Sequence, residues 1–472
     1  MKADKDHQQA KGLTRRGFLG EASCAAIGSS SVLASMLNLK LAGRLAASDL
    51  PEGDDYKALV CIYLQGGNDS FNMLVPRGDT EYDEYLGVRR NLALTKESLL
   101  EINPATSDGR SFGLHRNCSN LQTMFEADEL AFIANVGTLV EPTTKASYNG
   151  GLGNVPEGLF SHADQERQWS TAIPDRSAIS GWAGRMTDLL ISLNGEGDFA
   201  TAISMSGVNL LQSGESTFPY AINESGSRGI DDWDAFGWRH GRAAVDSQLA
   251  LEYSNVFQKT YVEKKKRAIE LHDRFTTAMD TAAIPSVSIG SDDFSNQLEM
   301  VYRTIAAHES FGVRRQTFFV LLGGWDHHTV LDAPHAGLLA RINHSLSRFN
   351  TLLKDAGLSD CVTTFSASDF GRSLTSNGDG SDHGWGGNQF VFGGAVNGGD
   401  IYGSYPELYI DNPLDVGRGR FIPTTSVDEY FAELACWFGV SPSQLPLVLP
   451  HLDRFYDVDS GSPPLGFMDL PA

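Results

Sequence analysis

The chain has 472 residues, 41% of them hydrophobic, and a formal net charge of −22. That length can bury a large core, and one main domain with insertions is the reading it favours. The negative balance argues against nucleic acid or an anionic membrane surface as a partner, because both would be repelled, and solubility in a salty medium is the simpler account of it.

Taken in order, the first element is a targeting signal. Thr14, Arg15, Arg16, Gly17, Phe18 and Leu19 form a twin-arginine signature, and an Ala/Ser-rich apolar stretch follows from about Ala22 to Ala42, ending near Leu45-Ala46-Ala47. This reads as a Tat export signal over residues 1–47. Ser29, Ser30, Ser31, Asn38 and Lys40 make the stretch too polar for a stable membrane span. The Tat translocase is then the expected export partner, and the periplasm or the exterior of a bacterial cell the expected location. Cys24 would leave with the signal. Of the four remaining cysteines, Cys61 and Cys361 sit in apolar runs as small hydrophobes, no Cys-x-x-Cys pair exists, and nothing supports a Cys118–Cys436 disulfide.

An acidic lead-in from Ser48 to Lys57 precedes the first buried strand, which starts at Ala58 and runs into Gly66-Gly67-Asn68-Asp69. Leu121, Met124 and Phe125 lie at helical spacing within 117–129, and the apolar run Leu130 to Val136 follows as a strand, a βαβ rhythm. A Gly/Asn-rich loop over 145–156 leads to Ser161-His162, where a helix begins with Ser161 at its N-cap. From about Leu193 to Pro285 the strand pattern disappears, and a charged helix over 262–278 marks an insertion or cap. Beyond it come a helix over 294–311, a strand over 316–322, an amphipathic helix over 335–356, a strand over 361–365 and a helix over 427–438.

Four of these segments share one feature. Leu59–Asp69, Phe318–His328, Cys361–Arg372 and Ser381–Gly394 each join an apolar strand to glycine with Asp or His. Ligands of an open α/β sheet bind beyond the carboxyl ends of its strands, so carboxylate and imidazole groups repeated there point to one shared metal site. Asp69 is either a ligand or a turn residue after glycine. Asp326 and His328, two residues apart, reach one ion if the chain is extended. Asp369 follows its strand directly, and His383 lies in a loop whose glycines permit close backbone approach. Arg372 either clamps an oxyanion or pairs with a nearby carboxylate, and Ser161 is either a simple cap or an activated nucleophile. No G-x-G-x-x-G follows the first strand and no cysteine cluster could hold iron–sulfur, which argues against an oxidoreductase.

QGGND at 65–69, FSHADQ at 160–165, SGWAGRM at 180–186, GGWDHH at 323–328, SDFGR at 368–372 and DHGWGG at 382–387, in this order, closely resemble the DUF1501 family within the alkaline phosphatase and sulfatase superfamily. The resemblance covers most of residues 48–472. It implies an alkaline phosphatase-like α/β fold, a largely parallel central sheet sandwiched by helices, with the helical insertion at about 193–285. It also implies one or two divalent ions (Zn, Mn, Mg or Ca), with Asp69 and Asp369 as ligands of one and Asp326, His328 and His383 of the other. Ser161 would be the nucleophile, assisted by His162 or Arg372. The implied activity is that of an exported, metal-dependent hydrolase acting on a small anionic phosphate or sulfate ester; the alternative is a non-catalytic envelope binding or assembly protein that keeps a structural metal. This chain has Phe370 where superfamily enzymes commonly have His after the Asp, and His327 where relatives carry Thr. None of its cysteines has the x-Pro-x-Arg context of a formylglycine sulfatase.

Overall fold

The computed structural model describes residues 56–106, 109–151, 153–229 and 239–470. The proposed export signal lies outside the described residues. A mixed sheet, mostly parallel, runs through the molecule with helices on both faces. Its strands lie in the order Ile401–Tyr402, Leu130–Gly137, Gly387–Phe392, Val362–Ser368, Lys57–Gln65, Arg315–Gly323, Ala202–Ser204 and Tyr220–Ala221, with Thr425–Ser426 also pairing Leu130–Gly137. Gly387–Phe392 is antiparallel to both its neighbours, and the other pairs are parallel.

The middle strand shows why its sequence is apolar without a break. Ala58, Val60, Ile62 and Leu64 point into one core. Leu59, Cys61 and Tyr63 point into the other, on the opposite face. Side chains alternate across a strand, so a sheet covered on both faces needs apolar residues at every position. The first core takes the apolar stripes of the helices Asp293–Ala306 and Asp332–Asp355, including Leu298, Val301, Leu339, Ile342 and Leu346. The second takes Trp182, Met186 and Leu189 from the helix Trp182–Leu190, and Tyr430, Phe431 and Leu434 from Val427–Phe438. Ser426 and Glu429 form a capping box that starts the last of these helices.

The main strands and the helices around them form where the sequence pattern places them, and the differences have local causes. The run expected to be one helix to Phe311 breaks at Ala307 into Asp293–Ala306 and His308–Phe311. The strand expected from Cys361 begins at Val362, because Ser359–Cys361 forms a 3-10 turn. Leu130–Gly137, read as the closing strand of a βαβ rhythm, runs parallel to the first strand with Gly387–Phe392 and Val362–Ser368 between them. Residues 193–285, read as an insertion, supply Ala202–Ser204 and Tyr220–Ala221 to the sheet as well as the helix Val256–Met279. Strands of three and two residues are too short for alternation to show. Among the described residues Cys61, Cys118, Cys361 and Cys436 form no disulfide. Among the described residues no helix is long and apolar enough to cross a membrane.

Lys57–Gln65, Arg315–Gly323 and Val362–Ser368 run in register, with Gln65 opposite Gly323 and Leu64 opposite Ser368. Their carboxyl ends therefore share one edge. The antiparallel Gly387–Phe392 brings the loop before it to that same edge.

Candidate metal centre

Glycine allows the loops at this edge to close on one another. Gly66, at φ 117°, lies so near the next loop that a Cβ would stand 2.6 Å from the Asp326 amide nitrogen. Its own N–H donates to Asp369 Oδ2 at 3.2 Å, and its carbonyl accepts from Arg372 at 3.1 Å. A residue with a side chain would be strained there and would push the Asp326 loop away.

His162, Asp326, His328 and His383 come together at this edge, and one donor atom from each lies within 4.8 Å of all the others. Asp326 Oδ1 stands 3.0 Å from His328 Nε2 and 3.4 Å from His383 Nε2, while Asp326 Oδ2 stands 3.4 Å from His162 Nε2. A tetrahedral ion with bonds of about 2.0–2.1 Å separates its ligand atoms by about 3.3–3.4 Å, so these spacings suit an ion held between them. The two nitrogens of His328 and His383 are closer, at 2.8 Å.

Groups outside the cluster fix which nitrogen faces it. His383 Nδ1 donates to the Phe160 carbonyl at 2.6 Å, which leaves Nε2 of the neutral ring as a lone-pair donor. His162 Nδ1 likewise donates to Asp369 Oδ2 at 2.7 Å. Among the described residues the buried His162 Nε2 has no hydrogen-bond partner. A buried lone pair without a partner, opposite a carboxylate, is what a cation would satisfy.

Electrostatics separate the ligand candidates. Burial lowers His383, against the hydrogen bond to Phe160. His162 moves upward, chiefly through its hydrogen bond to Asp369. Burial pushes the Asp326 carboxyl up, but the hydrogen bond and charge of Arg372 outweigh it and hold Asp326 below the ordinary range. Asp326 is thus ionised at neutral pH, as a ligand must be.

The other residues singled out in the sequence take distinct positions. Asp369 is buried behind His162 and orients it. Asp69, also fully buried, pairs with the buried Arg89, which in turn donates to Asn72 and to the carbonyls of Ser373 and Leu374. Among the described residues Asp69 and Asp369 do not join a group of three or more ligand candidates. Arg372 donates to Asp326 at 2.6 Å, to the Gly66 carbonyl, and to the Ser381 hydroxyl and carbonyl. With four of its N–H donors so used, it acts on the Asp326 carboxylate, the second of the two roles open to it. Ser161 occupies the N-cap of the helix His162–Thr171, and its side chain makes no capping hydrogen bond. It stands between Phe160, whose carbonyl His383 holds, and His162. Phe160 has a left-handed backbone, φ 71°, uncommon for a bulky residue. His327 turns inward, its ring 6.1 Å from that of the buried His335.

Sequence reasoning set His162 beside Ser161 as a catalytic assistant; the structure turns it toward Asp326, His328 and His383. It also missed Arg89 and Phe160. Arg89 ends a charge-rich helix, Asp79–Arg89, in which nothing marks one arginine as buried, and a backbone carbonyl carries no sequence signal.

In overall shape the chain is similar to several solved structures. One is the C-terminal periplasmic domain of EcEptC from Escherichia coli in complex with Zn, at 11% identity and a TM-score of 0.35, covering 89% of this chain and 94% of that one. Another is the PsFucS1 sulfatase from Pseudoalteromonas sp., at 10% identity and a TM-score of 0.35, covering 87% and 73%. A third is a mutant of the alkaline phosphatase PafA, at 9% identity and a TM-score of 0.26, covering 69% and 64%. No curated protein matches the chain by sequence. Residues 56–417 match the family described as "Protein of unknown function (DUF1501)", a span that includes every ligand candidate above, and the chain belongs to that family.

Proposed function

We propose that this protein is an exported metal-dependent hydrolase of phosphate or sulfate esters. The observation that carries the reading is the convergence of three imidazole nitrogens and one ionised carboxylate, two of the imidazoles having their other nitrogen tied to an acceptor outside the cluster. His162, Asp326, His328 and His383 would hold the ion. A divalent ion there would lower the pKa of a hydroxyl or water and offset the charge that develops on the ester's oxygens. Asp369 keeps the His162 ring turned inward, and Arg372 keeps Asp326 ionised and in place. Ser161, with no capping hydrogen bond and with neighbours on both sides anchored at the cluster, is the candidate nucleophile.

Elemental mass spectrometry on purified protein should find about one equivalent of a divalent metal, as a single set of four ligands requires. The double variant Asp326→Ala/His328→Ala should lose it. The loaded protein should then cleave an aryl phosphate, an aryl phosphodiester or an aryl sulfate. Folded protein without metal, and without activity under any common divalent ion, would overturn the proposal.

One observation favours the second reading, a binding protein with a structural metal: the buried Arg372 is engaged by protein groups and is not free to clamp an oxyanion. Replacing Ser161 by Ala separates the two, since it should abolish turnover by a serine nucleophile and leave a structural metal in place.

A further inference from the structure

Beside the candidate metal centre lies a basic cluster that the hydrolase reading does not use. Asp382, next to His383 and with Oδ1 3.6 Å from His328 Nδ1, accepts from Arg418 at 2.7 Å and from Arg420 at 3.4 Å. Two guanidinium groups thus share the Asp382 carboxylate in a chain whose net charge is −22. Among the described residues, most of their ten N–H donors have no protein acceptor. Arg420 lies over the Phe160 ring, 4.7 Å from its centroid, and among the described residues its buried Nε has no hydrogen-bond partner. The Arg418 side chain is 45% exposed.

The turn that carries them is built with care. Asp415, fully buried, accepts from the N–H groups of Gly417 and Gly419 at 2.8 and 2.9 Å. Arg418, between them, has a left-handed backbone at φ 65°, and its carbonyl accepts from the Thr375 N–H and hydroxyl. Leu374 donates to the Gly419 carbonyl at 3.1 Å. Thr375 and Leu374 belong to the strand Arg372–Ser376, whose first residue holds Asp326. One short strand therefore sets both the metal ligand and the arginine turn, and a residue without glycine's freedom is kept in a costly conformation to present its side chain.

We infer that Arg418 and Arg420 form a subsite for a second anionic group, a sulfate, phosphate or carboxylate, carried by the substrate beyond the ester that is cleaved. The planar guanidinium fork matches such groups through paired hydrogen bonds. The inference rests on the hydrolase reading for the word substrate, but the subsite itself is a matter of binding.

The test uses the metal-loaded full chain and titration calorimetry with two probes that differ by one anionic group, propylphosphonate and propylene bisphosphonate. The wild type should bind the bisphosphonate about tenfold or more tightly than the phosphonate, the scale of hydrogen bonds to charged groups. In Arg418→Gln/Arg420→Gln that preference should fall to about twofold or less. Adding Asp382→Asn removes the carboxylate those changes leave uncompensated, and the preference should stay lost; its return would assign the effect to Asp382 and overturn the inference. No preference in the wild type, or an undiminished one in the double variant, would also overturn it. Circular dichroism and metal content establish that each variant is folded and loaded. A protein that shows the preference and cleaves no ester would refute the hydrolase reading alone, and one that cleaves esters without the preference would refute the subsite alone.

Discussion

Among the described residues Asp369 makes no ion pair or hydrogen bond with Asp326, His328 or His383, yet it decides which way His162 points. Asp369→Asn keeps the shape and removes the charge that the His162 ring N–H sees, and metal affinity should fall by about 10–100-fold, the usual cost of losing such a support. Competition with a chelator dye measures it. The pH dependence follows from the same contact. The hydrogen bond to Asp369 raises His162, so its proton competes with the ion at higher pH than an ordinary imidazole's would. Metal affinity should therefore weaken as pH falls through the upper part of the imidazole range, and in Asp369→Asn that loss should move to lower pH. At this scale Asp326, His328 and His383 were legible, because strand-end clusters of Asp and His stand out against apolar runs. The pairing of Asp69 with Arg89 was not, since a carboxylate after two glycines looks the same whether an ion or a guanidinium awaits it.

Elements set the precision of the edge. Gly66→Ala would force a Cβ to within 2.6 Å of the Asp326 amide in a backbone region that alanine avoids. The expected outcome is a folded protein with loosened Asp326 and at least tenfold weaker metal binding, read by the same competition assay. The helix Asp332–Asp355 packs against the far side of the sheet from the helix Val427–Phe438 and supplies fully buried Leu346. Leu346→Ala should cost about 2–5 kcal/mol in denaturant unfolding, with metal affinity little changed, because its cavity opens in the core and not at the edge. Both long helices were visible in the sequence from their periodicity. The short strands Ala202–Ser204 and Tyr220–Ala221 were not, since their pairing comes from the neighbouring strand and not from a pattern of their own.

For the whole molecule, the buried charges matter more than the net charge. Asp428 is fully buried, and among the described residues no other residue donates a hydrogen bond to its carboxylate. Burial raises it from 3.8 to about 8, against the attraction of Arg185. Its folded-state value exceeds its unfolded one, so the folded state carries no penalty below the unfolded value, and stability is lost as pH rises through the folded one. Asp428→Asn should thus stabilise the protein on the order of a few kcal/mol at about pH 8 and much less at about pH 5, a difference that thermal unfolding at the two pH values will show. An equal effect at both would contradict this account.

The sequence by itself determined the α/β class, the two-sided burial of the middle strands, the positions of the long helices and three of the four ligand candidates, because each depends on residues close together along the chain. Alternation, helical spacing and glycine at strand ends are local properties. Only the tertiary structure decided the rest. His162 turns toward Asp326, 164 positions later, because Asp369 and the loop at Phe160 hold it there. Arg372 serves Asp326 because Val362–Ser368 and Arg315–Gly323, one on each side of Lys57–Gln65, end at the same edge. Arg418 and Arg420 reach Asp382 because a turn folds back on the strand Arg372–Ser376. Partners of this kind are chosen by how strands pair across hundreds of residues, and strand pairing leaves no mark in any short stretch of sequence.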